Sequence, residues 1–222
     1  DPAGDAQVNV SGSLKVFEQC ARVKVKRLIF TSTGGAIYGP HAPCPTTETF
    51  LPDPTSPYGL AKLATERYLG YYRAVRKLNA TVLRFSNVYG PRQDPHGEAG
   101  VVAIFAANML KNKSITINGS GKQTRDYVYV ADVARAAMAA LTKPIGTFNI
   151  ATSRETSVNE VFTTLARLTR YQLKPKHVTA VVGEVNRSVL SPKLAQRVLG
   201  WQAKVTFAEG AANVVDWLKQ TR

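Results

Sequence analysis

The sequence predicts an α/β fold, in which helices flank a parallel sheet and a smaller α/β lobe follows toward the C-terminus. Helix-period and strand-like segments alternate along the chain, which is typical of strands joined by helical crossovers. Short β-rich runs end abruptly at glycine or polar residues, as parallel strands do at the carboxyl edge of a sheet. Of the 222 residues, 44% are hydrophobic, which is enough for a sizeable core.

The first half of the chain predicts two helices and one intervening strand. Apolar residues at steps of four and three indicate the first helix: Val10, Leu14, Phe17 and Ala21. The run 27–33 predicts a buried strand that ends at Gly34-Gly35, where we expect a loop. Ser56-Pro57 supplies an N-cap and a first-turn proline for a helix expected to run to about Leu78.

The second half continues the alternation of strands and helices. Strands are expected near residues 80–86, 115–117, 126–130, 147–151 and 178–182. Helices are expected through Leu110, near 132–141 and near 192–199. Two capping boxes predict further helix starts, Ser157 with Glu160 and Thr206 with Glu209.

The chain is strongly basic, with 29 Lys and Arg against 15 Asp and Glu and a formal net charge of +14. This charge favours an anionic ligand. The densest basic group, Lys24, Lys26 and Arg27, contains no aromatic residues that could stack on bases, and no nucleic-acid-binding motif accompanies it. We therefore predict no nucleic-acid partner, although a basic nucleic-acid-binding module stays open as an alternative.

Membrane and metal sites are not indicated by the sequence. The longest apolar runs, 101–107 and 178–182, are far shorter than the roughly 18 residues that a membrane helix needs. With no basic and apolar leader at the start, we predict a cytoplasmic protein without a membrane partner. The two cysteines, Cys20 and Cys44, suggest neither a disulfide framework nor a metal site.

Tyr58 and Lys62 form a candidate acid-base pair near the start of the second helix. Residues four apart share a helix face, so the ammonium of Lys62 can reach the space beside the Tyr58 hydroxyl. A nearby cation lowers the pKa of a phenol, which makes the phenol a better base at neutral pH. The spacing alone also fits two ordinary helical side chains.

Polar residues at two strand ends strengthen the acid-base hypothesis. Thr31, Ser32 and Thr33 bring hydroxyl groups to the end of the first predicted strand, where open α/β sheets bind their ligands. Such a hydroxyl can hydrogen-bond the oxygen that Tyr58 deprotonates. The segment 84–92 adds polar groups at the end of the next strand.

Four motifs, in order, resemble the extended short-chain dehydrogenase/reductase family: T-S-T-G-G-A-I-Y-G, S-P-Y-G-L-A-K, R-F-S-N-V-Y-G-P-R and T-R-D-Y-V-Y-V-A-D-V. Within this NAD-dependent epimerase/dehydratase group the chain is most similar to the UDP-glucose 4-epimerases, from Asp1 to about Trp217. The T-S-T-G-G segment lacks the acidic residues that follow the threonine in the 4,6-dehydratase branch, which favours an epimerase.

The resemblance implies a truncated Rossmann-like parallel sheet with a small C-terminal α/β substrate lobe. Residues 1–90 would form the C-terminal part of the Rossmann-like domain, and residues 91–222 mainly the substrate lobe, with segments near 126–151 returning to the sheet. The G-x-x-G-x-x-G turn of the family is absent, so roughly 80 to 90 residues would be missing at about 30 per βαβ unit. An uncovered strand edge would favour a homo-oligomer.

The resemblance also implies roles for individual residues. Tyr58 would be the general acid/base, Lys62 would tune it and bind the nicotinamide ribose, and Thr33 would hydrogen-bond the sugar 4-hydroxyl. The implied cofactor is NAD, bordered at its nicotinamide by Ser32, Phe85 and Val88 together with Tyr58 and Lys62. The implied substrate is a UDP-hexose, with Asn87 and Arg125 at the diphosphate, Val101 and Thr116 near the nucleotide, and Glu184 at the ribose or sugar.

Two functions stay open beside the nucleic-acid alternative. The first is an NAD-dependent nucleotide-sugar 4-epimerase of the UDP-glucose/UDP-galactose type, working through a 4-keto intermediate. The second is a non-catalytic nucleotide-sugar-binding or self-associating remnant that has lost cofactor binding. For Arg125, an ordinary ion pair with Asp126 or Asp132 is the alternative to diphosphate binding.

Overall fold

The computed structural model describes residues 1–96, 100–181 and 185–221. Its strands are β1 (Leu28–Thr33), β2 (Ala80–Phe85), β3 (Asn87–Tyr89), β4 (Thr116–Asn118), β5 (Thr124–Arg125), β6 (Tyr127–Tyr129), β7 (Thr147–Ile150), β8 (Thr156–Ser157), β9 (Lys176–Val178) and β10 (Arg187–Ser188). Its helices are α1 (Pro2–Ala6), α2 (Gly12–Arg22), α3 (Gly34–Ile37), α4 (Pro57–Val75), α5 (Val101–Leu110), α6 (Val130–Thr142), α7 (Val158–Thr169), α8 (Lys193–Leu199) and α9 (Phe207–Gln220). A π-helical turn, Gln7–Ser11, joins α1 to α2.

A parallel sheet with the strand order β1-β2-β7 forms the centre of the fold. The register pairs Thr33 with Phe85 and Phe85 with Ile150, so the carboxyl ends of the three strands are level. All but one of the residues of β2 are buried, as expected for a parallel strand covered on both faces. The sheet agrees with the Rossmann-like α/β fold that the sequence predicts.

Helices α2 and α4 cover one face of this sheet. Phe17 of α2 is 2% exposed and meets Phe30 and Tyr72 edge-to-face, each at a ring-centroid distance of 5.7 Å. Leu69 and Val82 complete the same apolar cluster. The helical spacing of apolar residues in the first predicted helix is thus explained, because Phe17 fills the space between α4 and the sheet.

Helices α6 and α8 cover the opposite face of the sheet. Leu83 and Phe148 of the sheet pack with Trp201 in the loop after α8. The buried carboxylate of Asp132 accepts hydrogen bonds from the backbone N–H groups of Lys204 and Val205, both at 3.0 Å. The chain therefore returns to the sheet at α8 as well as at α6 and β7, while the proposed domain boundary at residue 90 stays a prediction.

The second lobe is built from α5, α7 and α9 around a separate apolar cluster. Tyr89 of β3 and Tyr127 of β6 pack against Phe207 at ring-centroid distances of 5.3 and 5.4 Å. Three short pairings surround this cluster: β3 with β6, β4 with β9, and β5 between β8 and β10. Because β3 follows β2 almost directly, the lobe begins at the carboxyl edge of the central sheet.

Most predicted elements are confirmed, including both capping boxes. Three local predictions are wrong, and the first two concern α3 and α4. Gly34-Gly35 opens the short helix α3 and not a loop. Helix α4 ends at Val75, before Leu78, because Lys77 adopts a left-handed backbone with φ of 54° and Leu78 turns into the core.

The strand expected at 178–182 begins earlier, at Lys176. Its position is set by parallel pairing with β4, in which Ile117 lies opposite His177. The strand ends at Val178, so the prediction is wrong for residues 179–181, and residue 182 lies outside the described residues. Among the helices of the described residues, none combines the length and apolar character required to cross a bilayer.

Phe17→Ala is expected to lower the free energy of unfolding by about 3–5 kcal/mol, because it opens a cavity where three aromatic rings meet. Denaturant unfolding followed by circular dichroism would measure the change. The matched control is Val16→Ala on the same helix, where the side chain is 54% exposed and little change is expected. Equal losses for the two variants would contradict the packing described for α2.

Candidate active site

Tyr58 and Lys62 lie in the first turns of α4, whose start is fixed by local chemistry. Ser56 caps the helix by accepting a hydrogen bond from the backbone N–H of Gly59 at 3.1 Å, and Pro57 occupies the first turn. The Lys62 ammonium is 5.7 Å from the centroid of the Tyr58 ring. The two side chains therefore share one face of the helix, as their spacing predicts.

The Lys62 side chain reaches the carboxyl half of β1. Its ammonium donates a hydrogen bond to the backbone carbonyl of Thr31 at 3.3 Å and lies 5.1 Å from the centroid of the Phe30 ring. Burial lowers the pKa of Lys62 below its usual range, and the negative charge of Asp5 partly opposes this effect. Tyr58 is 41% exposed, so its ring is accessible to a ligand.

The two hydroxyl residues at the end of β1 point to opposite faces of the sheet. Ser32 lies opposite Arg84 in the register and faces α4, whereas Thr33 lies opposite Phe85. A Cβ atom added to Gly35 would lie 3.9 Å from the Thr33 hydroxyl and 3.7 Å from the Asn87 side-chain oxygen. Thr33 therefore lies near Asn87. Ser32 lies on the side of the sheet that carries Tyr58 and Lys62.

Ser32 has a buried hydroxyl whose hydrogen bonding is not satisfied within the described part of the chain. The residue is 4% exposed, and its Oγ finds no partner among the described residues. A buried hydroxyl normally pairs, so this atom fits a polar ligand group such as the carboxamide of a nicotinamide. Phe85 and Val88, the apolar residues expected to border that ring, are partly buried beside the core on the α6 side.

A cavity of about 410 Å³ lies in the second lobe, beside Asn87 at the start of β3. It is lined by four of the five residues predicted to bind substrate: Asn87, Val101, Thr116 and Arg125. Ile104, Phe105 and Tyr127 add apolar surface. The fifth residue, Glu184, lies outside the described residues, so its role stays a prediction.

Arg125 is held at the cavity by its own strand. Its guanidinium donates a hydrogen bond to the backbone carbonyl of Thr124 at 2.9 Å. The two carboxylates considered as alternative partners are engaged elsewhere: Asp126 accepts from Thr152 and Ser153, and Asp132 pairs with Arg135. Within the described residues, no group of three or more His, Cys, Asp or Glu side chains could hold a metal ion.

Sequence reasoning missed a buried polar network behind the α4 helix. Arg84 of β2 forms a bidentate pair with Glu66 of α4, with N–O distances of 3.0 and 2.6 Å, and their side chains are only 8% and 7% exposed. The same guanidinium donates to the Tyr38 hydroxyl at 2.8 Å, which in turn donates to the Asn149 side-chain oxygen at 2.8 Å. The available signal was an arginine inside an otherwise uncharged strand.

Comparisons with known proteins identify the family of the chain. The model of the NAD dependent epimerase/dehydratase family matches residues 1–151. The UDP-glucose 4-epimerase of Mycolicibacterium smegmatis is 41% identical over 222 residues, which cover 99% of this chain and 71% of that protein.

Two solved structures are also similar to the chain along its whole length. The UDP-glucose 4-epimerase of Thermotoga maritima, solved with UDP-glucose, has 47% identity and a TM-score of 0.97 over 100% of this chain and 72% of its own. The UDP-glucose 4-epimerase of Thermus thermophilus, solved with NAD, has 42% identity and a TM-score of 0.92 over 100% of this chain and 73% of its own. The chain therefore belongs to the NAD dependent epimerase/dehydratase family, in which NAD is the cofactor.

Proposed function

We propose that the chain acts as an NAD-dependent nucleotide-sugar 4-epimerase of the UDP-glucose/UDP-galactose type. The observation that supports the proposal is the Tyr58 and Lys62 pair beside β1, together with a cavity of the second lobe that Arg125 and Asn87 line. Asn87 links the cavity to the end of β1, because it lines the cavity and also flanks Gly35 together with Thr33. The similar solved epimerases support the same chemistry.

Several side chains of this chain would hold the nicotinamide half of NAD. Ser32 offers the unsatisfied hydroxyl, Lys62 offers an ammonium for the ribose, and Phe85 and Val88 offer apolar surface for the ring. The chemistry that NAD supplies when bound is reversible hydride exchange with sugar C4, by way of a 4-keto sugar. The protein must therefore move one proton at the 4-hydroxyl and hold the sugar at two successive orientations.

Tyr58 would move that proton. Its phenolate oxygen accepts the proton of the sugar 4-hydroxyl during oxidation and returns it after reduction. The Lys62 cation stabilises the phenolate by charge, and Thr33 is proposed to hydrogen-bond the sugar oxygen. Because Lys62 is also bound to the Thr31 carbonyl, its ammonium is held near the strand end and not in bulk solvent.

Arg125 and Asn87 would hold the substrate diphosphate while the sugar rotates. A guanidinium can bind two phosphate oxygens at once. Val101 and Thr116, on the same cavity, would contact the nucleotide, and Glu184 is proposed to contact the ribose or sugar. An anchored diphosphate with a mobile sugar allows hydride return to the opposite face of the 4-keto group.

Purified protein supplied with NAD⁺ and UDP-galactose would test the proposal. UDP-glucose formation and a nicotinamide absorbance that stays with the protein are the expected signals. A protein that binds the nucleotide sugar without either signal would instead support the alternative, a non-catalytic nucleotide-sugar-binding protein. The homo-oligomer and the cytoplasmic location stay predictions.

Tyr58→Phe is expected to lower kcat by about 10²-fold to 10⁴-fold, because the phenyl ring can neither accept nor donate the proton. Initial rates of UDP-glucose formation would measure the loss. Tyr68→Phe is the matched control, since Tyr68 lies on the same helix and is 47% exposed. Turnover that survives in the Tyr58 variant would disprove its role as base.

Arg125→Lys is expected to raise the KM for UDP-galactose by about tenfold or more, because a lysine keeps the charge but loses bidentate geometry. Steady-state kinetics at saturating NAD⁺ would show the change. Arg167→Lys, at an exposed position on α7 of the same lobe, serves as the control. An unchanged KM in the Arg125 variant would argue against diphosphate binding by this residue.

Turnover is expected to decline on the alkaline side below the ordinary lysine pKa of about 10.4. Burial lowers the pKa of Lys62, so this cation loses its proton earlier as pH rises and then no longer stabilises the Tyr58 phenolate. The dependence of kcat on pH, with circular dichroism at each pH as the control for folding, would reveal the decline. A rate that stays constant through about pH 11 would contradict this role of Lys62.

A further inference from the structure

The buried network around Arg84 connects α4, the helix of the candidate acid-base pair, to two strands of the central sheet and to the end of α3. Glu66 belongs to α4, Arg84 to β2, Tyr38 to the end of α3 and Asn149 to β7. The network also reaches the proline-rich loop between α3 and α4, residues 38–56. The Asn149 amide donates to the Thr46 carbonyl at 3.1 Å, and the backbone N–H of Asn149 donates to Glu48 at 2.8 Å.

The sheet register places this network beside the proposed cofactor residue Ser32. Arg84 lies directly between Ser32 and Asn149 on the neighbouring strands, and all three side chains are at least nine-tenths buried. Residues paired across parallel strands point to the same face. The guanidinium is therefore on the α4 side of the sheet, in one row with the unsatisfied Ser32 hydroxyl.

Glu66 lies on the same face of α4 as the two proposed reacting residues. Tyr58, Lys62 and Glu66 are each four residues apart on α4, so they lie along one face of the helix. Glu66 anchors this face to the sheet through Arg84, one turn beyond Lys62 and two turns beyond Tyr58. A shift of the anchor would therefore move both side chains together.

The first turn of α4 also rests directly on α3. A Cβ atom added to Gly59 would lie 2.6 Å from the Ala36 carbonyl and 2.8 Å from Pro54, so the helix start and α3 are in close contact at this glycine. Tyr38 follows α3 immediately, and its hydroxyl is the second acceptor of Arg84. One guanidinium thus fixes both the helix that carries Tyr58 and the segment against which its first turn packs.

We propose that Arg84 and Tyr38 are positioning residues that hold Tyr58 and Lys62 at the carboxyl edge of the sheet. The inference rests on the proposed function, in which Tyr58 and Lys62 carry out the acid-base step. Substrate binding depends on Arg125 and Asn87, which lie at the lobe cavity and not in this network. Loss of the network should therefore affect kcat more than KM.

Tyr38→Phe tests the proposal with a small change. It keeps the ring, which packs against Phe50 at a centroid distance of 6.4 Å, and removes only the hydroxyl shared by Arg84 and Asn149. We expect kcat to fall about tenfold or more while the KM for UDP-galactose changes less than about twofold. Arg84→Lys should change kcat in the same direction, because a lysine lacks the planar guanidinium that contacts both Glu66 and Tyr38.

A second readout does not depend on turnover. The ultraviolet titration of the Tyr58 phenol is obtained by subtracting the spectrum of the same protein with Tyr58→Phe. In Tyr38→Phe this titration should move to higher pH by about half a unit or more, because Lys62 is less well aligned with the phenol. Tyr38 itself is absent from the variant, so the shift belongs to Tyr58. Circular dichroism melting would check that both proteins are folded.

Tyr171→Phe is the matched control, because Tyr171 is also a buried tyrosine whose hydroxyl donates one strong hydrogen bond, to the Lys113 carbonyl at 2.7 Å. It should lower Tm similarly while leaving kcat and the Tyr58 titration unchanged. The positioning role is wrong if Tyr38→Phe matches this control in both readouts. If the unmodified protein shows no turnover, the proposed function fails. The positioning role is then tested by the titration alone, and an unchanged Tyr58 titration in Tyr38→Phe would overturn it.

Discussion

The architecture around the candidate site depends on one buried guanidinium. A charged side chain in the middle of a buried strand is unfavourable unless its charge and its donors are matched by partners. Burial works against the charge of Arg84, but Glu66 and Tyr38 outweigh this effect, so the pKa of Arg84 is raised above its usual range. The requirement to satisfy this group brings α3, α4 and the proline-rich loop to fixed places on the sheet. Arg84 is thus a structural cation, whereas Arg125 lines a cavity where a phosphate could bind.

The second constraint is the level carboxyl edge of the parallel sheet. In open α/β sheets ligands bind at this edge, because loops and helix starts can diverge there without breaking the strand pairing. Here the edge leads from β1 into α3 and from β2 into β3, which belongs to the second lobe. Asn87 therefore lies where the two regions meet, because it lines the lobe cavity and flanks Gly35 together with Thr33 at the end of β1.

The sequence alone determined the elements that depend on local chemistry. Ser56-Pro57 starts α4, and the two capping boxes start α7 and α9, because a cap needs only neighbouring residues. The helical spacing of Tyr58 and Lys62 was predictable for the same reason, and ordered motifs predicted the family. The local sequence pattern gave wrong predictions at Gly34-Gly35 and at Leu78, where packing against the sheet decides the backbone conformation.

Only the tertiary structure decided which distant side chains meet. The pairing of Arg84 with Glu66 and Tyr38 depends on the register of β1, β2 and β7 and on how α4 lies across them. The separation of Ser32 from Thr33 likewise follows from strand alternation, in which Phe30 and Ser32 of β1 are buried on the α4 side. The physical reason is that a motif specifies residue types and spacing along the chain, whereas long-range contacts arise only when packing fixes strand register and helix position.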